Sequence, residues 1–273
     1  MSKTLTVTIL GCGSSGGVPR LGGPDNSGFW GVCDPENPKN RRTRCSILLE
    51  RHGEDGVTRV LVDTSPDMRE QLLKARVAAL NGVIITHDHA DQLHGIDDLR
   101  LVVHTMRRKV EVYTDVKTAE GILSRFSYCF VQPEGSEYPP IANMHAIEPL
   151  KPFVLEGAGG PLPVLAFMQR HGAVHSLGLR FGPVAYSSDV NELDDAAFAA
   201  LDGVECWIVD ALRYTPHPSH AHVAKALEWI ARAGVKRAVL TNLHIDLDYE
   251  TLRRELPEHV VPAYDGLTLA AEL

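Results

Sequence analysis

A layered α/β protein is the fold class that the sequence predicts. Short apolar or alternating runs, typical of strands, recur along the whole chain, and amphipathic segments lie between several of them. Strands and helices in this mixed order are typical of sheets covered by helices. With 273 residues the chain is long enough to bury a substantial core, and we expect one domain over residues 1–273.

The strand predictions rest on apolar runs and on the alternation of polar and apolar residues. The first ten residues show that alternation and lack the continuous apolar centre of a signal peptide. The predicted strands are residues 5–10, 45–50, 59–62, 82–85, 110–113, 164–167, 177–181, 184–187, 206–209, 238–240 and 267–270.

Three helices are predicted from their ends and their apolar spacing. The first covers residues 65–74 and has Pro66 in its first turn, where a missing N–H does no harm. The second covers residues 221–232, with apolar side chains three or four positions apart, and Gly234 ends it. A short third helix covers residues 248–256.

The composition excludes several classes of protein. No apolar run approaches the ~20 residues that span a bilayer, so we expect no membrane contact and a cytoplasmic location. The formal net charge of −8 predicts no large nucleic-acid surface. Five scattered cysteines without C-x-x-C spacing argue against a disulfide framework and against a zinc knuckle. The sequence leaves monomer and homodimer open.

Residues 86–91, Thr-His-Asp-His-Ala-Asp, directly follow the apolar run 82–85. In extended chain the imidazoles of His87 and His89 point the same way, and Asp91 repeats the two-residue step. Neutral imidazoles and a carboxylate at a strand end suit a borderline divalent ion such as zinc. A polar turn with surface histidines is the alternative for either histidine alone, and the grouping favours a metal site.

This motif resembles the H-x-H-x-D-H signature of the metallo-β-lactamase superfamily. The opening glycine-rich loop and two later segments narrow the resemblance to its phosphodiesterase branch, typified by phosphoribosyl cyclic phosphate phosphodiesterase, with tRNA 3′-processing nucleases as more distant relatives. The resemblance implies an αββα sandwich with a metal site at one edge. The matching segments are 11–17, 61–63, 86–91, 170–172, 176–178, 186–189, 210–214 and 217–220.

The resemblance implies a first metal ion on His87, His89 and His171, with Asp189 bridging to a second ion. At the second site this chain has two amides where the family pattern has histidines, Gln92 and Asn242. Amide oxygens are harder, weaker ligands than imidazole nitrogens.

The remaining second-site ligands, Asp91, Gln92, Asp189 and Asn242, would therefore suit Mn or Mg better than Zn. Alternatively, the second site is empty and the enzyme runs on one ion. We expect one or two divalent ions, Zn or Mn.

Three further residues are predicted around the ligands. His94 and His244 each lie two residues beyond a replaced ligand, about 7 Å away in extended chain, so we expect an outer layer or substrate contact rather than ligation. Asp63, at its strand end, is expected to accept a hydrogen bond from a ligand histidine, with capping of the helix over 65–74 as the equal alternative.

Hydroxyl, amide and basic groups in the loops predict contacts to an anionic substrate. The basic segment 40–44 stands out because the chain is acidic overall, although a solvated turn is its alternative. The predicted substrate contacts are Ser14, Ser15, Arg41, Arg44, Arg213, His217 and His244.

Water activated by the ion is the expected nucleophile, because a Lewis-acidic ion lowers the pKa of bound water to about 7. By resemblance, His220 stands beside the leaving group as general acid or transition-state stabiliser, with His222 as the nearby alternative. His220, Asp91 and Asp189 form the predicted catalytic set.

The predicted function is metal-dependent hydrolysis of a phosphodiester in a small phosphorylated substrate, either a cyclic phosphate or a nucleotide-like molecule. The alternatives are an RNA-processing nuclease of the same superfamily and a metal-poor nucleotide- or phosphate-binding protein.

Overall fold

The computed structural model describes residues 4–273. In the first half of the chain the strands are β1 (Thr4–Gly11), β2 (Ser46–Gly53), β3 (Gly56–Val62), β4 (Gly82–Ile84), β5 (Val110–Thr114) and β6 (Ala142–Ala146). The helices there are α1 (Met68–Ala75), α2 (Ala90–Leu93), α3 (Leu99–Met106) and α4 (Val116–Phe126).

The second half holds the remaining strands and helices. Its strands are β7 (Phe153–Leu155), β8 (Leu162–His171), β9 (Val174–Phe181), β10 (Val184–Ser187), β11 (Cys206–Asp210), β12 (Arg237–Thr241), β13 (Val260–Pro262) and β14 (Thr268–Glu272). Its helices are α5 (Asp195–Ala200), α6 (Val223–Ala233) and α7 (Tyr249–Glu255).

The strands form two seven-stranded mixed sheets. The order is β14-β1-β2-β3-β4-β5-β6 in the first sheet and β13-β12-β11-β10-β9-β8-β7 in the second. Strands β3 to β6 pair in parallel, as do β10 to β13. The last strand, β14, returns to the first sheet and pairs antiparallel with β1.

Three apolar clusters define the layers. The central cluster joins inward side chains of both sheets, among them Ile9, Ile47, Val184 and Ile208. A second cluster packs the outer face of the second sheet against α5, α6 and α7, and a third packs the outer face of the first sheet against α1, α3 and α4. The αββα sandwich implied by the resemblance is therefore confirmed.

Every predicted strand and each of the three predicted helices is present, with shifts of a few residues at their ends. The sequence missed β6, β7 and β13, each of which lies at an edge of its sheet. Edge strands are short or half-solvated, so their sequences lack the buried apolar run that marks central strands. Helices α2, α3, α4 and α5 were also missed.

The carboxyl ends of several strands carry the polar side chains discussed below. Asp63 follows β3, His87 follows β4 and Asp189 follows β10, whereas His171 and Asp210 are the last residues of β8 and β11. Parallel strands end at the same edge of a sheet, which brings these groups together. No helix within residues 4–273 combines the length and apolar character needed to cross a membrane.

Candidate metal centre

His87, His89 and His171 form a cluster of three imidazoles. One ring nitrogen from each lies within 4.8 Å of the others, and the ring centroids are 4.6 to 5.1 Å apart. His89 Nδ1 and His171 Nε2 are 3.2 Å apart. His87 and His171 are buried, and His89 closes the cluster from the exposed side.

Hydrogen bonds leave one nitrogen of each buried ring facing the cluster. His171 Nδ1 lies 2.6 Å from the Ser219 carbonyl oxygen, which can only accept, so the proton is on Nδ1 and the lone pair is on Nε2. His87 Nδ1 lies 3.1 Å from the Thr86 hydroxyl. The opposite nitrogen, His87 Nε2, is buried and has no hydrogen-bond partner among residues 4–273.

Asp63 orients this arrangement through Thr86. The Thr86 hydroxyl lies 3.0 Å from each oxygen of Asp63 and donates to this carboxylate, which also accepts from the Thr86 backbone N–H at 2.8 Å. The hydroxyl oxygen is then the acceptor for His87 Nδ1–H. The predicted direct contact of Asp63 with a ligand histidine is thus corrected to an indirect one, and the cap of α1 is Asp67 rather than Asp63.

The donor set fits a divalent ion. Burial lowers the pKa of His87 to about 3, and burial also lowers the pKa of His171, so both rings are neutral near pH 7. Neutral imidazoles with lone pairs aimed at one point, one of them a buried nitrogen without a partner, are what a zinc-like ion requires.

Asp189 is buried next to this cluster, and two amides hold its carboxylate. Gln92 Nε2 donates to Oδ2 at 2.9 Å, and Asn242 Nδ2 donates to Oδ1 at 3.2 Å. Asp91 is not in extended chain as the two-residue spacing assumed, because the chain enters α2 at Ala90. Burial and the charge of Asp189 raise the pKa of Asp91 to about 6.

His220 joins the centre from the segment before α6. Its Nδ1 lies 2.8 Å from Asp210 Oδ2 and 3.6 Å from Asp189 Oδ1. Burial alone would lower the pKa of His220, but the carboxylates of Asp210, Asp189 and Asp91 outweigh it and raise this pKa to about 9. Burial raises the pKa of Asp210 to about 7. His220 and Asp210 therefore form a hydrogen-bonded pair that keeps a proton on the His220 ring, beside the histidine cluster.

Several basic groups lie near His220 and His244, and we call them the cationic rim (Arg20, Arg213, His217 and His244). The two arginines carry its charge, and the Arg213 guanidinium also donates to the carbonyls of Thr215 and Pro216 in its own loop. The ring of His217 lies 5.1 Å from that of His220. Burial lowers the pKa of His244, and the nearby charge of Arg20 acts in the same direction, with that of Arg213 a smaller contribution. Burial, His220 and Arg213 lower the pKa of His217.

Arg20 was not predicted from the sequence. Its Nε is buried without a hydrogen-bond partner among the described residues, and its side chain lies against Gly16, where a Cβ would come within 2.8 Å of that nitrogen. The sequence signal that could have identified Arg20 is its place as a basic residue just after the glycine-rich segment 11–17.

The basic segment 40–44 is largely occupied by structural contacts. Arg42 is buried and donates to the carbonyls of Leu247 at 2.7 Å and His244 at 3.1 Å. Arg44 forms an ion pair with Asp67 at 2.8 Å, and the Arg41 guanidinium lies 5.0 Å from the Trp30 ring. Phosphate contacts from Arg41 and Arg44 stay a prediction.

The remaining predicted residues differ in burial and in the groups that they contact. Ser14 is buried with its hydroxyl free of hydrogen bonds among residues 4–273, whereas Ser15 is exposed. His94 is exposed at the end of α2 and packs edge-on against Phe126 at 5.4 Å. His222 precedes α6 without capping it through its side chain.

Residues 58–245, more than half of the chain, match the family model described as a beta-lactamase superfamily domain. The chain belongs to the metallo-β-lactamase superfamily. This superfamily member is similar to a diphosphatase from the PhnP family, with a TM-score of 0.85 and 31% identity over 100% of this chain and 99% of that chain. The zinc-bound PqqB of Methylobacterium extorquens shares the fold, with a TM-score of 0.71 and 18% identity over 97% and 99% of the two chains.

A curated relative is longer than this chain. The octanoyltransferase of Porphyromonas gingivalis (strain ATCC BAA-308 / W83) is 32% identical over 265 residues, which are 95% of this chain and 50% of that protein. This chain therefore spans about half the length of that relative. Superfamily membership and the histidine cluster together give a candidate metal centre on the metallo-β-lactamase fold.

Proposed function

We propose that this protein is a metallohydrolase that cleaves a phosphodiester bond in a small phosphorylated molecule. The observation that carries the proposal is the charge of Arg20 and Arg213 in the cationic rim, which lies near His217 and His244, in a chain with a net charge of −8. Positive groups concentrated at one place on an acidic protein favour an anionic ligand at that place. Phosphate oxygens suit arginine forks and the N–H donors of imidazole rings.

The chemistry divides between the metal and the side chains. When bound, a divalent ion on His87, His89 and His171 supplies Lewis acidity at the phosphorus centre. The cationic rim binds the phosphoryl oxygens and orients the substrate. His220 donates a proton to the departing oxygen, because Asp210 holds its Nδ1 and leaves Nε2 as the free ring nitrogen.

A diphosphate is the second candidate substrate. The similar structure at 31% identity is named a diphosphatase, and cleavage of a P–O–P bond needs the same attack on phosphorus and the same proton for the leaving oxygen. The cationic rim would bind the phosphoryl oxygens of a diphosphate in the same way as those of a phosphodiester. The chain's net charge of −8 disfavours a long RNA as substrate.

Transfer of an acyl group is the only other activity to consider here, because one relative, half of which matches this chain, is an octanoyltransferase. In this chain, the rim of arginines and histidines favours an anion over a fatty acyl chain.

A substrate panel tests the proposal. The protein, loaded with Zn²⁺ or Mn²⁺, would be assayed by ³¹P NMR and chromatography on a five-membered cyclic phosphate, a linear phosphodiester, a dinucleoside diphosphate, a precursor tRNA and an octanoyl thioester. We expect turnover of a small phosphate substrate, lost in His89→Ala. Turnover of only the thioester or the tRNA would refute the proposal.

A further inference from the structure

We infer that the amides of Gln92 and Asn242 take the place of a second metal ion, so that the centre binds one ion. The inference goes beyond the proposed function, because it concerns the number of ions and not the substrate. It rests on which atoms of the two amides face Asp189. A second ion bound with Asp189 would need lone pairs beside its carboxylate, and the amide atoms that face the two carboxylate oxygens are N–H groups, whereas the buried Gln92 Oε1 has no hydrogen-bond partner among the described residues.

Asn242 presents its nitrogen. Its Nδ2 lies 3.2 Å from the Ser188 carbonyl oxygen and 3.2 Å from Asp189 Oδ1. Because a carbonyl oxygen can only accept, the amide NH₂ must be on this side. The backbone of Asn242 is left-handed, with φ of 62°, a conformation that asparagine tolerates better than most residues.

Gln92 presents its nitrogen as well. Its Nε2 lies 2.9 Å from Asp189 Oδ2 and 3.5 Å from Asp91 Oδ2. Exchanging the two amide atoms would set Gln92 Oε1 against the Asp189 carboxylate, and two acceptors at hydrogen-bond distance repel each other. Each oxygen of Asp189 is therefore matched by an amide N–H that has no lone pair for a metal.

The two amides also stabilise the buried negative charge of Asp189, as a second metal ion would. Asp189 is only 2% exposed, and a buried carboxylate is costly unless hydrogen bonds or charges compensate it. The two N–H groups supply part of this compensation through hydrogen bonds, and the neighbouring His220, 3.6 Å from Asp189 Oδ1, lies beside the same carboxylate. Under this inference Gln92 and Asn242 are not oxygen ligands for Mn or Mg, and the one-ion alternative is favoured.

Metal counting tests the inference. Apo-protein would be titrated with Mn²⁺ and with Zn²⁺, freed of loose metal by gel filtration, and analysed by mass spectrometry of the elements. We expect one ion per chain in the parent and two in Gln92→His/Asn242→His, whose imidazoles restore lone pairs. A histidine also tolerates the left-handed backbone at position 242.

Electron paramagnetic resonance supplies a readout independent of catalysis. The Mn²⁺-loaded parent should give an isolated-ion spectrum, and the double variant should give the exchange-coupled spectrum of two neighbouring ions. The matched control is Gln132→His/Asn26→His, because both residues are exposed and Asn26 shares the left-handed backbone, with φ of 61°. This control should keep one ion.

Two results would overturn the inference. One is a parent that binds two ions per chain with a coupled spectrum. The other is a folded double variant, judged by circular dichroism, that still holds a single ion. If the double variant does not fold, the parent's own stoichiometry and spectrum decide. Absence of phosphodiesterase activity would affect the proposed function and leave this result unchanged.

Discussion

Thr86→Val isolates the contribution of the hydrogen-bond chain that runs from Asp63 to His87. Valine has nearly the shape of threonine, so the change removes one hydroxyl and little packing. That hydroxyl donates to Asp63, at 3.0 Å from each carboxylate oxygen, and accepts from His87 Nδ1–H at 3.1 Å. Without it, the His87 ring loses the partner that sets its tautomer and orientation.

The expected loss in metal affinity is about 10- to 100-fold, the usual effect of removing a partner that orients a ligand histidine. At about 1.4 kcal/mol per tenfold, this is about 1.4 to 2.8 kcal/mol of binding free energy. Asp63 keeps the Thr86 backbone N–H at 2.8 Å, so we expect the free energy of unfolding to fall by only about 1 to 3 kcal/mol.

Thr114→Val is the matched control. Thr114 is equally buried, and its hydroxyl donates to the Ile85 carbonyl at 2.8 Å, one residue before Thr86. The control should lose stability without losing metal affinity. Zinc affinity would be measured by competition with a chromophoric chelator at fixed pH, and stability by urea unfolding of the apo-proteins. Parental zinc affinity in Thr86→Val, or an equal loss in both variants, would refute the orienting role.

Four further outcomes are expected. His89→Ala should abolish stoichiometric zinc binding while the circular dichroism spectrum is kept, because the His89 side chain is exposed; full occupancy would contradict its assignment as a ligand. His220→Gln should lower kcat by about 10²- to 10⁴-fold with the metal retained, and metal loss would count against a proton-donor role. Arg20→Ala should raise KM more than it lowers kcat, whereas Arg41→Ala should change KM less; equal effects would remove Arg20 from the rim. Arg42→Leu should lower the free energy of unfolding by about 2 to 4 kcal/mol in urea, because it strands the carbonyls that the guanidinium binds.

The central strands and the histidine ligands could be predicted because their signals are local. A buried strand needs a continuous apolar run, and polar residues that follow it directly lie at the sheet edge whatever the rest of the chain does. This is why His87 and His89 could be named from the residues themselves, whereas His171 and Asp189 were named through the family resemblance. The edge strands β6, β7 and β13 lack such a run and were missed.

The basic segment 40–44 shows where local signals fail. Its charge predicts a surface that binds anions, yet Arg42 is 2% exposed and binds carbonyls more than 200 positions away in the sequence. Arg20, a single basic residue after a loop, was passed over, although its position beside His244 makes it the better candidate. A run of basic residues shows that positive charge is present, but the groups that each arginine contacts depend on how distant parts of the chain pack around it.

The sequence by itself determined the fold class, the superfamily resemblance and the positions of the ligand histidines at strand ends. It also showed that two family histidines are replaced by amides. Only the tertiary structure decided what those amides do, because Gln92 and Asn242 lie 97 and 53 positions from Asp189. Whether an amide turns its oxygen or its nitrogen toward a carboxylate depends on the acceptors packed around it, and those come from α2 and from the segment that follows β10.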